Sequence, residues 1–252
     1  MEHAAITVKN LFKSFNGQNI LNDLSLLIPR RQTTVIIGRS GDGKSVFLKH
    51  LIGLLKPDRG QILIGKDDIT VLGEAALNRV RRKFGMLFQD AALFDSMTVA
   101  RNVAFPLREH SRLKPKEIME QVLFRLDQVG LNGAENKMPS ELSGGMRKRA
   151  GLARALALDP EIMLVDEPTT GLDPIMTQAI NQLLKETQAR LNLTSVIISH
   201  DLRGAFYLAH SIVMISKGRV VAQGSPEEIK NSGDPFVRQF LEAGLEGPPE
   251  AS

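Results

Sequence analysis

The sequence contains no cysteine and no apolar stretch long enough to cross a membrane. Without cysteine, disulfides, thiolate metal sites and cysteine nucleophiles are excluded, and the composition fits a reducing compartment. A bilayer span needs about 18 consecutive apolar residues, and no run approaches that length. The segment Met1–Ala5 lacks the basic region and apolar stretch of a secretion signal. We therefore expect a cytosolic chain that reaches a membrane only through a partner.

The sequence also lacks any block of one charge. Its net charge of +4 comes from 32 basic and 28 acidic residues, with both signs mixed along the chain. This pattern is typical of a solvated surface, and we expect no nucleic-acid partner. With 252 residues and 42% hydrophobic residues, the chain can bury one α/β core with an inserted subdomain. A second independent domain of ordinary size would be cramped.

Short β-branched runs alternate with longer helical patterns, which is typical of a mostly parallel sheet covered by helices. Four such runs are candidate strands: Thr33–Ile37, Phe84–Phe88, Ile162–Val165 and Ser195–Ile198. Each ends near a residue that could take part in chemistry: Gly38, Gln89, Asp166 and His200. Ligands of open α/β sheets bind beyond the carboxyl ends of the strands, so one shared site is predicted.

The remaining patterns suggest a division into a core and an inserted part. Residues Ala4–Gly65 read as an antiparallel β region leading into the first parallel strand, and Ser211–Gly224 reads as a hairpin turning at Lys217-Gly218. Helical periods replace strand signals between Asp90 and Asp159, notably over Lys116–Val129 and Ser143–Leu158.

From these patterns we expect an α/β core with its β region over 1–89 and 160–224. A helical subdomain is expected over 90–159, and a C-terminal helix with a short tail over 225–252. The tail, Gly244–Ser252, contains Gly247-Pro248-Pro249 and is predicted to be disordered when alone.

The segment between the first parallel strand and the next helix matches a P-loop. Its residues are Gly38, Arg39, Ser40, Gly41, Asp42, Gly43, Lys44 and Ser45, and with Val46 they are the candidate ATP-binding set. Glycines let backbone N–H groups surround a phosphate, and a helix starting near Lys44 would point its positive end at it. Lys44 suits the β- and γ-phosphate oxygens, and the Ser45 hydroxyl suits Mg²⁺.

Asp42 is unusual in an anion-binding loop, and we expect its side chain to turn outward and be merely tolerated. A glycine-rich turn with a surface lysine is the alternative.

The apolar run Ile162–Val165 ends in two adjacent acids, Asp166 and Glu167. A buried strand rarely ends in this way unless a cation is near. Asp166 would hold Mg²⁺ through its water shell. Alternation along the strand sends Glu167 to the other side, where it could orient or deprotonate an attacking water. Alternatively, both acids cap the following loop.

A second helix terminus suited to an anion occurs at Leu142-Ser143-Gly144-Gly145-Met146. Ser143 occupies an N-cap position and the glycines expose backbone N–H groups, although alone this is only a good cap. The segment resembles the signature sequence of ABC ATPases, which usually ends in Gln where this chain has Met146. The resemblance implies a P-loop NTPase fold: a RecA-like, mostly parallel sheet plus an antiparallel β region, with an inserted α-helical subdomain.

The resemblance covers nearly the whole chain, and its elements occur in the family's order. It implies that Phe15 stacks on adenine, that Gln89 senses Mg²⁺ and the γ-phosphate, and that His200 is the switch histidine. Gly171-Leu172-Asp173-Pro174 resembles the D-loop. It also implies a homodimer in which Ser143, Gly144, Gly145 and Asp173 complete the partner's ATP site. Taken singly, Phe15 could be a core aromatic, Gln89 a polar surface residue and His200 a helix-flanking residue.

Three further stretches resemble the Mla-type subgroup of ABC ATPases, which move phospholipids across the Gram-negative envelope. They are Phe105–His110, Met138–Met146 and Asp234–Leu241. The resemblance implies a peripheral place at the cytoplasmic face of the inner membrane on an integral-membrane permease. It also implies partners of the MCE-domain and STAS-domain types. Val46, where many members have Thr, and the short tail depart from the subgroup.

Several alternatives remain open at this stage. An ABC transporter for another solute would share every motif, because the ATPase subunit does not contact the cargo. A soluble ABC ATPase of DNA repair or of ribosomes usually has a coiled-coil insertion or tandem cassettes, which are missing here. A small-molecule kinase would leave Ser143–Met146 and His200 unexplained.

Overall fold

The computed structural model describes residues 4–245, which form two β-sheets and the helices that cover them. Strands are β1 Ala4–Phe15, β2 Gln18–Pro29, β3 Thr33–Ile37, β4 Arg59–Ile64, β5 Asp67–Asp68, β6 Phe84–Leu87, β7 Ile162–Asp166, β8 Thr194–Ile198, β9 Ser211–Ser216 and β10 Arg219–Gly224. Helices are α1 Lys44–Leu51, α2 Glu74–Arg81, α3 Val99–His110, α4 Pro115–Gln128, α5 Gly144–Ala155, α6 Pro174–Leu191, α7 Leu202–Leu208, α8 Pro226–Lys230 and α9 Pro235–Leu245. A short 3₁₀ turn covers Pro139–Glu141.

The larger sheet has the order β10-β9-β3-β8-β7-β6. Its strands are parallel except β10, which pairs with β9 in an antiparallel hairpin. Every residue of β3 and β8 is buried, because helices or the second sheet cover both faces, and strands in such sheets are apolar without alternation. The four predicted parallel strands are therefore confirmed, and their carboxyl ends lie at one edge of the sheet.

The smaller sheet is antiparallel, with the order β2-β1-β4-β5. Asn16 and Gly17, both with positive φ, connect β1 to β2, as the tight turns of hairpins require. The predicted antiparallel region is interrupted, since β3 belongs to the larger sheet and α1 follows it. It also extends past Gly65 to β5, which pairs with β4.

Alternate residues of the central strands supply two cores on opposite faces of the larger sheet. Ile36 and Leu164 join the core beneath the smaller sheet and α1. Val35 and Val165 join the core that contains α3 to α7. Burial on both faces holds the strand ends rigidly, so the loops that follow them have a fixed position.

The helices α3, α4 and α5 lie between β6 and β7 in the chain and pack against one another. The α/β class with a helical insertion is confirmed, whereas the bounds 90–159 of a separate subdomain stay a prediction. The hairpin at Lys217-Gly218 is confirmed, with positive φ at both residues. Most of the predicted tail, from residue 246 onward, lies outside the described residues.

Across residues 4–245, no helix combines the length and the apolar character that a membrane span requires.

Candidate active site

The P-loop joins the end of β3 to the start of α1, as predicted. Gly38 and Gly43 have φ of 152° and 93°, values that favour glycine. A Cβ on Gly38 would overlap the carbonyl oxygen of Ile215, and one on Gly43 would lie 2.8 Å from the carbonyl oxygen of Ile20. The loop thus fits tightly between the two sheets. The first N–H groups of α1 have no intrahelical acceptor and are suited to a phosphate.

Asp42 has a structural role that we did not expect. Its carboxylate accepts hydrogen bonds from the backbone N–H of Arg39 and of Lys217, each at 2.9 Å. It therefore closes the P-loop on itself and fastens it to the turn between β9 and β10. The expectation that this side chain is merely tolerated is wrong.

Lys44 is the buried cation of the loop, with 6% of its surface exposed. Its ammonium donates to the carbonyl oxygens of Gly38 and Arg39, both at 2.8 Å. Burial lowers the pKa of Lys44, while negative charge on Glu167, Asp42 and Asp166 opposes that shift. The ammonium is thus surrounded by acceptors and close to the acids that end β7.

Ser45 and Asp166 approach each other across the edge of the sheet. The Ser45 hydroxyl lies 3.5 Å from Asp166 Oδ1. Burial raises the pKa of Asp166, and the adjacent charge of Glu167 raises it further, which is the usual effect of a desolvated acid beside a second one. A hydroxyl and a carboxylate oxygen are ligands that Mg²⁺ accepts, so this pair fits the predicted metal.

Glu167, Thr170 and His200 form a contact group at the next position. Glu167 has a φ of 45°, and its N–H donates to the Ile198 carbonyl at 3.0 Å. Its Oε2 accepts from Thr170 Oγ1 at 3.1 Å and lies 3.3 Å from His200 Nδ1. The predicted neighbours Glu167 and His200 are thus brought together. Thr170 was missed, because a threonine three residues after an acid has no distinctive pattern.

Gln89 follows β6 and is exposed. Its backbone carbonyl accepts a hydrogen bond from the ammonium of Lys148, a buried residue of α5. Burial lowers the pKa of Lys148, and the charges of Asp90 and Glu167 oppose that shift. Lys148 was also missed by sequence reasoning. A lysine in a helix is ordinarily a surface residue, and only its position in the fold shows otherwise.

The signature residues form a second group, beside the predicted D-loop. Ser143 caps α5 and accepts from the N–H of Met146 at 3.3 Å, and Asp173 caps α6 and accepts from the N–H of Met176 at 2.9 Å. A Cβ on Gly145 would overlap Met176 Cε, and one on Gly144 would lie 3.2 Å from Leu172 Cδ2. Among residues 4–245, no hydrogen bond joins this group to the P-loop.

Phe15 lies at the end of β1 and exposes 41% of its surface. The Lys13 ammonium lies 5.3 Å from the centre of its ring. The ring is therefore outside both cores and accessible to an aromatic ligand.

The apolar residues that follow Gln89 divide between core and surface. Val103 and Leu107 are buried, whereas Phe94 and Phe105 are 42% and 37% exposed. These two rings are in contact, with centres 5.0 Å apart, and they line a groove of about 560 Å³ with Phe88, Pro106 and Arg154.

Comparison with known proteins places this geometry in a family. The ABC transporter model matches residues 21–170. Mkl of Mycobacterium leprae, a probable ribonucleotide transport ATP-binding protein, is 48% identical over 97% of this chain and 70% of its own. MlaF of Haemophilus influenzae, an intermembrane phospholipid transport system ATP-binding protein, is 44% identical over 98% of this chain and 94% of its own.

A solved dimeric structure of the ATP-binding cassette MJ0796, in a post-hydrolysis state bound to ADP and Pi, matches with a TM-score of 0.81 and 31% identity. The match covers 88% of this chain and 98% of that one. The family model spans more than half of the 252 residues, and the fold and the P-loop agree with it. The predicted nucleotide-binding ATPase is confirmed, and the chain belongs to the ABC transporter family.

Proposed function

We propose that this chain hydrolyses ATP to drive phospholipid transport between the membranes of a Gram-negative envelope, and so maintains outer-membrane lipid asymmetry. One observation carries the choice of cargo: the match to the phospholipid transport protein MlaF of Haemophilus influenzae runs over 94% of that protein. The stretches Phe105–His110, Met138–Met146 and Asp234–Leu241 support the same subgroup.

For catalysis, we assign the β- and γ-phosphates to Gly38–Val46 and the adenine ring to Phe15. Glu167 orients or deprotonates the attacking water. Its Oε2 is held by Thr170 at 3.1 Å and faces His200 Nδ1 at 3.3 Å, so its direction is fixed before substrate binds. His200, which follows β8, and Gln89, which follows β6, would then sense the γ-phosphate from the ends of those two strands.

We assign Mg²⁺ to Ser45, Asp166 and Gln89. When bound, the ion neutralises charge on the β- and γ-phosphate oxygens. Within residues 4–245, no group of three His, Asp or Glu side chains could hold a metal ion unaided. This agrees with a magnesium site in which one carboxylate, that of Asp166, acts together with substrate phosphates.

The active form is a head-to-tail homodimer with two ATP sites. Ser143, Gly144 and Asp173 are surface or half-exposed residues, and Ile175, beside Asp173, exposes 80% of its surface. They are available to the P-loop of a second copy, and a solved cassette to which this chain is similar is dimeric. The N-terminus of the partner's α5 would then face the γ-phosphate opposite Lys44.

The groove lined by Phe94 and Phe105 is the proposed seat of a helix of the integral-membrane permease. Its lining combines aromatic and apolar side chains with arginines, Arg154 among them, and it adjoins Gln89 through the turn that follows that residue. Movement of the permease would therefore reach the ATP site directly. This would place the chain at the cytoplasmic face of the inner membrane, with an MCE-domain protein and a STAS-domain protein as further members of the complex.

A different cargo is the second candidate, and one observation favours it. The ribonucleotide transport protein mkl is 48% identical to this chain, more than the phospholipid protein is. Its match covers only 70% of that protein, however, so the chain corresponds less completely to it.

The catalytic assignment is tested by Glu167→Gln and Lys44→Ala. We expect Glu167→Gln to keep ATP binding, to lose hydrolysis and to accumulate an ATP-bound dimer in size-exclusion chromatography. Lys44→Ala should weaken ATP binding and form no such dimer. A Glu167→Gln protein that hydrolysed ATP at the wild-type rate would remove the role assigned to this carboxylate.

The cargo is tested by affinity purification of the chain from membranes of its native cell, with mass spectrometry of the co-purifying proteins. Recovery of a multi-pass permease with an MCE-domain protein supports phospholipid transport. A permease of another class overturns the cargo but leaves the ATPase intact.

A further inference from the structure

Two cations of α5 hold the backbone of the turn that follows Gln89. The Lys148 ammonium donates to the Gln89 carbonyl. The Arg154 guanidinium donates to the carbonyls of Ala91 and Ala92, each at 2.7 Å. Three backbone acceptors of one short turn are thus satisfied by a single helix.

The turn needs this support because its own conformation is unfavourable. Ala91 and Ala92 have φ of 60° and 47°, in the left-handed region that residues with a side chain rarely adopt. Ala91 is fully buried, and a Cβ on Gly151 would lie 2.9 Å from its Cβ. Contact with α5, and not local preference, therefore fixes the turn.

Lys148 is the member of this pair that is closest to the chemistry. It exposes only 5% of its surface, and the negative charges of Asp90 and Glu167 act on its ammonium. A buried ammonium is retained when its hydrogen bonds are made, and here the Gln89 carbonyl is its recorded acceptor. Five residues before it, Ser143 begins the same helix.

We propose that Lys148 is a positioning residue that ties Gln89 to α5, so that the place of Gln89 relative to Glu167 follows the position of the signature helix. The inference rests on the proposed roles of Gln89 and Glu167 and adds a residue to that site. In the dimer, the N-terminus of each α5 would contact the ATP bound to the partner's P-loop. Lys148 of the same helix would contact Gln89 of its own chain. One rigid helix would then connect the two ATP sites.

The proposal predicts an effect on turnover and not on ATP binding. Within residues 4–245, Lys148 forms no hydrogen bond with the P-loop, so we expect its substitution to leave ATP binding at the P-loop largely intact. A displaced catalytic group, by contrast, can reduce the rate by about 10- to 100-fold.

The test compares Lys148→Met with Lys148→Arg and Arg149→Met in the transporter complex purified with this chain. Arg149 is the matched control, since it also lies on α5 and donates to a backbone carbonyl, that of Val129 at 2.7 Å. We expect Lys148→Met to lower kcat by about tenfold or more with KM within about twofold. Its half-saturating Mg²⁺ concentration should rise. Lys148→Arg should recover most of kcat, and Arg149→Met should keep wild-type kcat.

If Lys148→Met and Arg149→Met have equal kcat values, the inference is overturned. Turnover by the wild-type protein in the same assay would still support the proposed ATPase function. Failure of Lys148→Arg to recover activity, with the protein folded, would also overturn it. If Lys148→Met does not fold, Lys148→Gln, which keeps a hydrogen-bond donor on a shorter side chain, takes its place and is read by the same kcat and Mg²⁺ criteria. Absence of wild-type turnover would overturn the catalytic assignment and this inference together.

Discussion

Ser143 has a structural task in one chain and a proposed catalytic task in the dimer, and two substitutions can separate them. Ser143→Ala removes the hydroxyl that caps α5. Ser143→Asp keeps a capping oxygen but places a negative charge where the partner's γ-phosphate is expected. If Ser143 acts only as a helix cap, only Ser143→Ala should be impaired.

The cap in this structure is a weak one, because the distance from Met146 N to Ser143 Oγ is 3.3 Å and the site is exposed. Loss of an N-cap costs about 0.5–2 kcal/mol, and this geometry favours a value of about 0.5–1 kcal/mol. In a chain of this size, that corresponds to a fall in Tm of about 1–4 °C. Aspartate is an equally good cap and interacts favourably with the helix dipole, so Ser143→Asp should retain the wild-type Tm.

The effect on the dimer should be larger and should fall on the aspartate variant. Two unit charges about 4 Å apart repel by about 4 kcal/mol at an effective permittivity of about 20. Halving this value for screening leaves about 2 kcal/mol, which is more than a tenfold loss of ATP-driven association.

The assay measures thermal unfolding without nucleotide and ATP-dependent dimer formation in the Glu167→Gln background. Thr98→Asp is the matched control, since Thr98 caps α3 through a bond of the same 3.3 Å length. If Ser143→Asp forms the dimer at the same ATP concentration as Thr98→Asp, the assignment of Ser143 to the partner's site is refuted. A Tm of Ser143→Asp as low as that of Ser143→Ala would refute the capping argument.

Two further predictions concern the P-loop and the smaller sheet. Asp42→Ala removes the acceptor for the N–H groups of Arg39 and Lys217. Calorimetry should then find ATP binding weakened by about tenfold, as loss of a charged hydrogen bond would cause. Unchanged affinity would contradict the role of Asp42 in holding the P-loop. Asp58 accepts hydrogen bonds from Lys13 and Ser14, which lower its pKa from 3.8 to about 2. Its folded-state pKa is depressed, so its contribution to stability is complete above pH 3.8 and is lost as the pH falls to about 2. An NMR titration should find that value, and a Lys13→Met protein in which the Asp58 pKa did not rise would contradict the assigned cause.

The fold could be predicted where local patterns determine it. The runs at β3, β6, β7 and β8 are short and mostly apolar, and all but β6 contain β-branched residues. The P-loop and the signature each begin a helix with a recognisable cap or glycine turn. These signals require only neighbouring residues. They were enough to place Gly38, Gln89, Asp166 and His200 at one edge of the sheet.

Two of the unpredicted parts of the site depend on contacts between distant positions. Asp42 accepts from Lys217, 175 residues away, and Lys148 donates to Gln89, 59 residues away. Neither contact leaves a pattern in the sequence, because the partner of a single charged residue is chosen by the packing of α5 or by the β9–β10 turn. The division of the apolar residues after Gln89 between core and groove also depends on which face of α3 packs against α5.

The charges around the P-loop bear on the proposed completion of each ATP site by a second chain. Negative charge on Glu167, Asp42 and Asp166 acts on the buried ammonium of Lys44, and bound ATP would add further negative charge. Bound triphosphate therefore requires further positive potential, which the N-terminus of α1, Mg²⁺ and the N-terminus of the partner's α5 would provide. In the proposed dimer, loss of the γ-phosphate would remove the anion that the two chains share, and the negative charges that remain would favour their separation. The arrangement that would complete the site for hydrolysis would thus open it afterwards, and a permease bound at the Phe94–Phe105 groove could use this alternation.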